Sequence, residues 1–267
     1  MTEDLKMVTL LKVLRQLKDY FDSFSLRYWL DQGALLGAVR DGAFISYDND
    51  VDLGIFYSDT LKLLEHLPDL KKLGFEVEVH CTNVTLIKEK AVVTFLVYQP
   101  IGELYVQINS VFVNYDDFPD IHNALTAKLQ QVKRFYDIAC FRDLQTIHDR
   151  SVDQNAFSLT RYGFSRFIVK KLSLYLWKKY GGEYFGYVTP KHFYEDFGSV
   201  LLHDMEFKSP SSVEAYLEYK YGENWRVPCG AGVWDIYNDD GGIVHHKEII
   251  EKYSDRLTTD ELWRKRK

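Results

Sequence analysis

The sequence predicts an α+β fold, a mixed β-sheet core with helices packed on it and helical additions toward the C-terminus. Three observations predict it. Residues 28–56 pass from a short apolar piece through a glycine turn and a short helical pattern into an apolar strand headed by acids. Four strand-like runs follow between Gly74 and Val113. From about Pro119 the apolar period lengthens from two to between three and four. This divides the chain into a core, 1–118, and a mainly helical part, 119–267, packed on it; one continuous domain is the alternative.

The elements follow in order. Leu10, Val13, Leu14, Leu17, Phe21 and Phe24 share one helical stripe, so the N-terminal stretch reads as a helix packed on the core. Charges interrupt its apolar runs, and no later run is long enough to span a bilayer, so neither a signal peptide nor an integral membrane segment is expected. Tyr28-Trp29-Leu30 runs into Asp31-Gln32-Gly33, and Ala34 to Val39 reads as one or two helical turns. Asp50-Val51-Asp52-Leu53-Gly54-Ile55-Phe56 is a strand. Ser58 can cap a helix carrying Leu61, Leu64 and Leu67. The strand runs are Gly74 to Cys81, Asn83 to Lys88, Ala91 to Tyr98 and Tyr105 to Val113, with Gln99-Pro100-Ile101-Gly102 turning between the last two. Leu125, Leu129, Val132, Phe135, Tyr136 and Ala139 then recur at helical steps. Phe167 to Tyr180 is a second amphipathic helix, ended by Gly181-Gly182. Arg166, Lys170, Lys171, Lys178 and Lys179 give it a basic patch, read as a solvated face or as a contact for an anionic acceptor or membrane surface. In the tail, Ser209-Pro210 opens a Tyr-rich helix that Gly222 ends.

The chemistry gathers in residues 28–56. Strand side chains alternate, so Asp50 and Asp52 project from one face and Val51 and Leu53 from the other. Asp48 continues the alternation one step earlier. Two carboxylates on one face repel unless a cation or proton sits between them. Magnesium, or manganese, can take one oxygen from each and keep positions for phosphate and water. A strand, a tight glycine turn and a helix start, here around Gln32, Gly33 and Ala34, direct backbone N–H groups at a place where an anion can sit. An anion cradle followed by a carboxylate pair suits a metal-bound nucleotide. That order is the layout of the nucleotidyltransferase fold's catalytic core.

The same stretch resembles the LicD family of choline-phosphotransferases and their relatives fukutin and fukutin-related protein. Their pattern is roughly G-T-L-L-G-A-x-R-x-x-x-F-I-P-W-D-D-D-x-D. Gly33, Leu35-Leu36-Gly37-Ala38, Arg40, Phe44-Ile45, Asp48, Asp50 and Asp52 match it. Ala34 stands for the usual Thr or Ser, Ala43 for Gly, Ser46-Tyr47 for Pro-Trp and Asn49 for the middle Asp. Phe207 to Pro228 is similar to the family's V-P-x…Y-L-x-x-x-Y-G-x-x-W-x-x-P region, where Trp225 and Arg226 read as shaping the site by stacking on a base or meeting a phosphate, with simple packing of Trp225 favoured.

The resemblance implies a transferase moving phosphocholine or a polyol phosphate from a CDP-activated donor to a glycan or glycolipid hydroxyl. It implies Asp50 and Asp52 as catalytic metal ligands, with Asp48 as an auxiliary ligand. Gln32, Gly33, Ala34, Gly37 and Arg40 are the implied nucleotide- or phosphate-binding positions. A third acid is expected from a later strand, and the matching segment Val106 to Phe112 carries Asn109 at its place. Asp116 and Asp117 lie just beyond and are the nearest substitutes.

Composition narrows the classes. With 267 residues, 46% hydrophobic and 27% charged, the chain can bury a full core without staples. A net charge of −6 argues against a nucleic-acid backbone as partner. Cys81, Cys140 and Cys229 form no CxxC and no paired framework, so a reducing, cytoplasmic setting is expected. The Asn238 to Gly242 loop reads as turn chemistry, and the adjacent His245-His246 cannot aim two ligands the same way from a strand. Two alternatives stay open. One is a binding protein that kept the fold and lost activity, for which Ala34 and Asn109 are the evidence. The other is a metal-dependent glycosyltransferase, disfavoured because only one helix and a short strand precede the acid pair.

Overall fold

The computed structural model describes residues 3–46, 48, 50–80, 83–111, 124–146, 151–179 and 183–228. The expected α+β architecture is present as a mixed seven-stranded sheet with helices packed on it. Helix α1 (Glu3–Ser23) buries Leu10, Val13, Leu14, Leu17 and Phe21, the stripe expected from its spacing. Strand β1 (Tyr28–Leu30), helix α2 (Gln32–Asp41) and strand β2 (Asp50–Phe56) form the front unit. Helix α3 (Tyr57–Lys72) leads to β3 (Glu76–Val79), β4 (Asn83–Lys88), β5 (Ala91–Ile101) and β6 (Leu104–Val111).

The sheet runs β1-β2-β5-β4-β3. β1 and β2 pair antiparallel, β2 and β5 parallel, and the remaining neighbours antiparallel. Helix α3 is the crossover that the parallel β2–β5 pair requires. β5 is long enough to pair with β2 and β4 over its first part and with β6 over Tyr98 to Ile101. One face of the central strands is fully covered: Val51, Leu53, Ile55, Val93, Phe95 and Val97 are all buried.

Helices α4 (Ala124–Phe141), α5 (Ser151–Leu159) and α6 (Gly163–Lys179) follow, as the change of period predicts. The C-terminal part is less helical than expected. β7 (Glu183–Pro190) joins the main sheet beside β6, and β8 (Phe197–Leu202) and β9 (Met205–Pro210) form a separate hairpin before helix α7 (Val213–Tyr221).

Three local readings are corrected. The β5–β6 turn is at Gly102-Glu103, with Gly102 at φ +55°, while Gln99 and Pro100 stay in the strand opposite Val106 and Tyr105. Helix α3 starts one residue before Ser58, with Phe56 as a cap that makes no side-chain bond. Ser209-Pro210 ends β9 instead of opening α7, whose cap is Ser212 at φ +50°. Gly222, at φ +80°, does end α7. Cys81, Asp116, Asp117, the Gly181-Gly182 stop, Cys229, the 238–242 loop and His245-His246 lie outside the described residues.

Candidate active site

The register of β1 against β2 sets the site. Trp29 lies opposite Gly54, and a Cβ on Gly54 would fall 2.1 Å from the Trp29 indole, so only glycine lets the two strands close over that ring. Beyond the last ladder pair, the Asp31 N–H donates to the Asp52 carbonyl at 3.0 Å. Asp31 is thereby placed beside Asp52 on the neighbouring strand. It also caps α2, its Oδ1 accepting from the Gln32 N–H at 2.8 Å, and its carbonyl accepts the first helical bond from Leu35. Gln32 is left at φ +46°, a conformation that costs a non-glycine residue on the order of 1 kcal/mol and is retained where surroundings enforce it.

Asp50 and Asp52 alternate with the buried Val51 and are both half-buried on the opposite face. Asp48 follows a turn closed by its N–H to the Ile45 carbonyl at 2.9 Å. Its carboxylate leans on the start of α2, for a Cβ on Gly33 would fall 2.3 Å from Asp48 Oδ2. The glycine turn therefore meets Asp48 directly, not the Asp50 and Asp52 pair. The carboxylate of Asp48 itself lies where the N-terminus of α2 favours negative charge. Burial first, then the charges of Asp50, Asp31 and Asp48, hold the Asp52 carboxyl well above the usual aspartate range, with Lys220 opposing them.

Lys220 comes from α7. Its ammonium pairs with Asp31 Oδ1 at 2.8 Å, and both side chains are almost fully buried. The Tyr216 hydroxyl, one helical turn earlier, donates to the same oxygen at 2.8 Å, and the Tyr98 hydroxyl donates to Oδ2. The Tyr194 hydroxyl donates to Tyr216 at 3.2 Å. Burial, then the Asp31 charge, pushes all three phenols well above the ordinary tyrosine range, so they stay protonated as donors. Asp31 thus accepts from a backbone N–H, two phenols and an ammonium, which is how a buried carboxylate is tolerated. Sequence reading placed Asp31 only at a turn and α7 only as a Tyr-rich helix. An acid at a helix-capping position and Tyr216/Lys220 at a spacing of four were the available signals.

The remaining expected positions are distributed as follows. Ala34 is buried in the first turn of α2. Gly37 is buried against the 43–45 loop, where a Cβ would fall 2.5 Å from the Ala43 carbonyl oxygen. Arg40 forks onto Asp41, Nη2 to Oδ2 at 2.7 Å, about 10 Å of helix from Gly33. Asn109 stands opposite Phe185 in β6, two positions beyond Gln107. Gln107 pairs with Tyr98, which shares its register parity with Thr94 and, across the ladder, Asp52. The side chain of Asn109 lies outside what is described. Trp225 is buried, and the Arg226 guanidinium stacks on its ring 4.1 Å from the centroid. Among the described residues, no group of three or more His, Cys, Asp or Glu side chains is arranged to hold a metal ion. Asp50 and Asp52 form a pair, with Asp48 turned to Gly33. Two oxygen donors fit a magnesium that draws its other ligands from phosphate and water. A separate cleft of about 340 Å³ lies at the other end of β2, lined by Arg27, Trp29, Phe56, Tyr105, Tyr194 and Lys208 among others.

Part of the chain is similar to known proteins. Residues 25–136 match the family model described as LicD/FKTN/FKRP, nucleotidyltransferase domain. An uncharacterized protein of Rickettsia typhi (strain ATCC VR-144 / Wilmington) is 26% identical over 115 residues, 43% of this chain and 35% of that protein. One from Rickettsia prowazekii (strain Madrid E) is 33% identical over 72 residues, 27% of each chain. Ribitol 5-phosphate transferase FKRP of Homo sapiens is 45% identical over 53 residues, 18% of this chain and 11% of that one. The chain therefore spans about a third or less of the length of these relatives. The family match contains every expected site residue from Gln32 to Asn109, whereas Tyr216 and Lys220 lie beyond it. Residues 25–136, which hold the capped helix, the acid-bearing strand and most of the sheet, are thus similar to the LicD/FKTN/FKRP nucleotidyltransferase domain.

Proposed function

We propose that the chain is a metal-dependent transferase that moves a phosphate-linked head group, phosphocholine or a polyol phosphate, from a CDP-activated donor to a glycan hydroxyl. The observation that carries this reading is the half-buried carboxylate pair Asp50 and Asp52 on one face of β2, with Asp52 joined through its backbone to Asp31 at the start of α2. Asp50 and Asp52 would hold magnesium or manganese, with Asp48 at Gly33 as an auxiliary ligand. A divalent ion there offsets charge on the donor phosphates and on the leaving nucleotide. The N–H groups of Gly33 and Ala34, in the first turn of α2, would orient phosphate oxygens, while that of Gln32 is taken by the Asp31 carboxylate. Lys220, buried behind Asp31, adds a fixed positive charge that limits the repulsion among four aspartates. FKRP, to which part of this chain is similar, is a ribitol 5-phosphate transferase, which favours a polyol phosphate as the group moved.

The test is magnesium-dependent CMP release from CDP-choline, CDP-ribitol and CDP-glycerol, each with and without a glycan acceptor. One donor is expected to be used, and Asp52→Asn to abolish the release. Metal-dependent nucleotide binding without turnover would instead select the reading in which the fold is kept for binding, which Asn109 in place of a third acid favours. Activity of Asp52→Asn within a few fold of the parent would overturn the metal site.

A further inference from the structure

Helix α6 is apolar on two faces but packed on one. Toward the protein, Ser173 is buried and Leu174 packs against the core. Arg166 ties the helix to α4, its guanidinium donating to the Ala139 carbonyl at 2.6 Å and the Cys140 carbonyl at 3.0 Å and pairing with Asp143. The outer face carries Phe164, Phe167, Ile168, Leu172 and Tyr175, at spacings of three, one, four and three, which is one stripe of a helix. They are exposed by 78%, 59%, 45%, 53% and 59% respectively. Leu159, at the end of α5, and Tyr162, in the turn before α6, extend the exposed patch. A helix that is apolar all round is ordinarily covered all round, and a run of large apolar side chains this long marks a contact surface.

Charge identifies what covers it. Residues 163–179 contain five lysines and arginines and no acid, in a chain whose net charge is −6. Lys171 and Lys179 are exposed on the same stripe, their ammonium groups over the Phe167 and Tyr175 rings at 5.9 and 5.8 Å. Arg161 is exposed beside Tyr162, with its guanidinium 5.6 Å from that ring. Exposed aromatic rings interleaved with cations match the boundary of an anionic bilayer. There, rings enter the acyl edge while ammonium groups stay among the headgroups. A second copy of this face would set cations against cations across a two-fold axis, which disfavours self-association. At 17 residues, with five charges, α6 can lie on a membrane but not cross one, and no helix among the described residues is long and apolar enough to cross.

We propose that the outer face of α6 is a membrane-docking surface that binds anionic lipid headgroups peripherally. This rests on α6 alone and not on the reading of the aspartates, so either can fail without the other. The experiment is co-sedimentation of the full chain with vesicles of phosphatidylcholine alone and of phosphatidylcholine mixed with phosphatidylglycerol, at low and high salt. Binding is expected only to the mixed vesicles and is expected to weaken with salt. Lys171→Gln combined with Lys179→Gln is expected to lower the partition about thirtyfold, from the usual worth of a lysine near an anionic surface. Phe164→Ser combined with Phe167→Ser is expected to abolish it. Both variants alter exposed side chains and keep the parent circular dichroism spectrum and magnesium-dependent nucleotide binding. The proposal is overturned if the parent ignores phosphatidylglycerol vesicles, or if both variants bind as well as the parent. It is equally overturned if the parent self-associates in the ultracentrifuge and Phe164→Ser with Phe167→Ser makes it monomeric.

Discussion

At the scale of the residue, Asp52 shows how a site can oppose its own stability. Its carboxyl is removed from water and set among Asp50, Asp31 and Asp48, so the folded protein holds its proton more tightly than the unfolded chain does. The folded state therefore binds more protons than the unfolded state at pH values between the two pKa values. Stability falls as pH rises from the ordinary aspartate range toward the raised value. Asp52→Asn removes that penalty. The metal-free variant is expected to melt above the parent at pH 8, by about 2–4 °C for each kcal/mol relieved, and to match it near pH 3.5. Thermal melts in chelator at both pH values check this. A gain that persists at acid pH would show that the carboxylate charge is not its source.

At the scale of the element, α2 uses its two internal glycines differently. Gly37 admits backbone, because a Cβ there would meet the Ala43 carbonyl oxygen at 2.5 Å and the Ile45 nitrogen at 3.1 Å. Neither atom can swing aside. Gly37→Ala is expected to cost about 1–3 kcal/mol, as overpacking does, read as a lower midpoint in urea. Gly33 admits only the end of a side chain, the Asp48 carboxylate. Gly33→Ala can be relieved by rotation of Asp48, so it is expected to leave the urea midpoint nearly unchanged while weakening magnesium binding measured by calorimetry. The two substitutions thus separate packing from ligand placement within one helix of ten residues.

At the scale of the whole molecule, the front and the tail of the chain are bound together through one ion pair. Asp31 and Lys220 are 189 positions apart and share a bond of 2.8 Å with no solvent around it. Between them sit Tyr98 from β5 and Tyr216 from α7, so the sheet, the capped helix and the tail helix meet at one buried carboxylate. Removing one partner of such a pair leaves an uncompensated buried charge. Lys220→Met is expected to cost about 3–5 kcal/mol in urea unfolding, and adding Asp31→Asn to recover a large part of it. Additive losses in the double variant would mean that the two groups do not act as a pair.

The expected acids were legible because strand alternation and a glycine turn are local rules: Asp50, Asp52 and the start of α2 lie where spacing alone puts them. So were the stripe of α1 and the limits of β4, whose periods are those of a packed helix and a strand between neighbours. Local rules do not reach the partners that a side chain meets across the fold. Whether Gly33 faces a phosphate or the carboxylate of Asp48 depends on how the 43–48 loop folds back. Whether Gly37 serves an anion or close packing depends on the same return. Strands β7 to β9 were hidden because their pairing partners, not their own periodicity, define them. The role of Lys220 was hidden most deeply. A lysine in a Tyr-rich helix reads as a surface charge until tertiary packing carries it to a buried aspartate at the other end of the chain, where low dielectric makes their attraction strong.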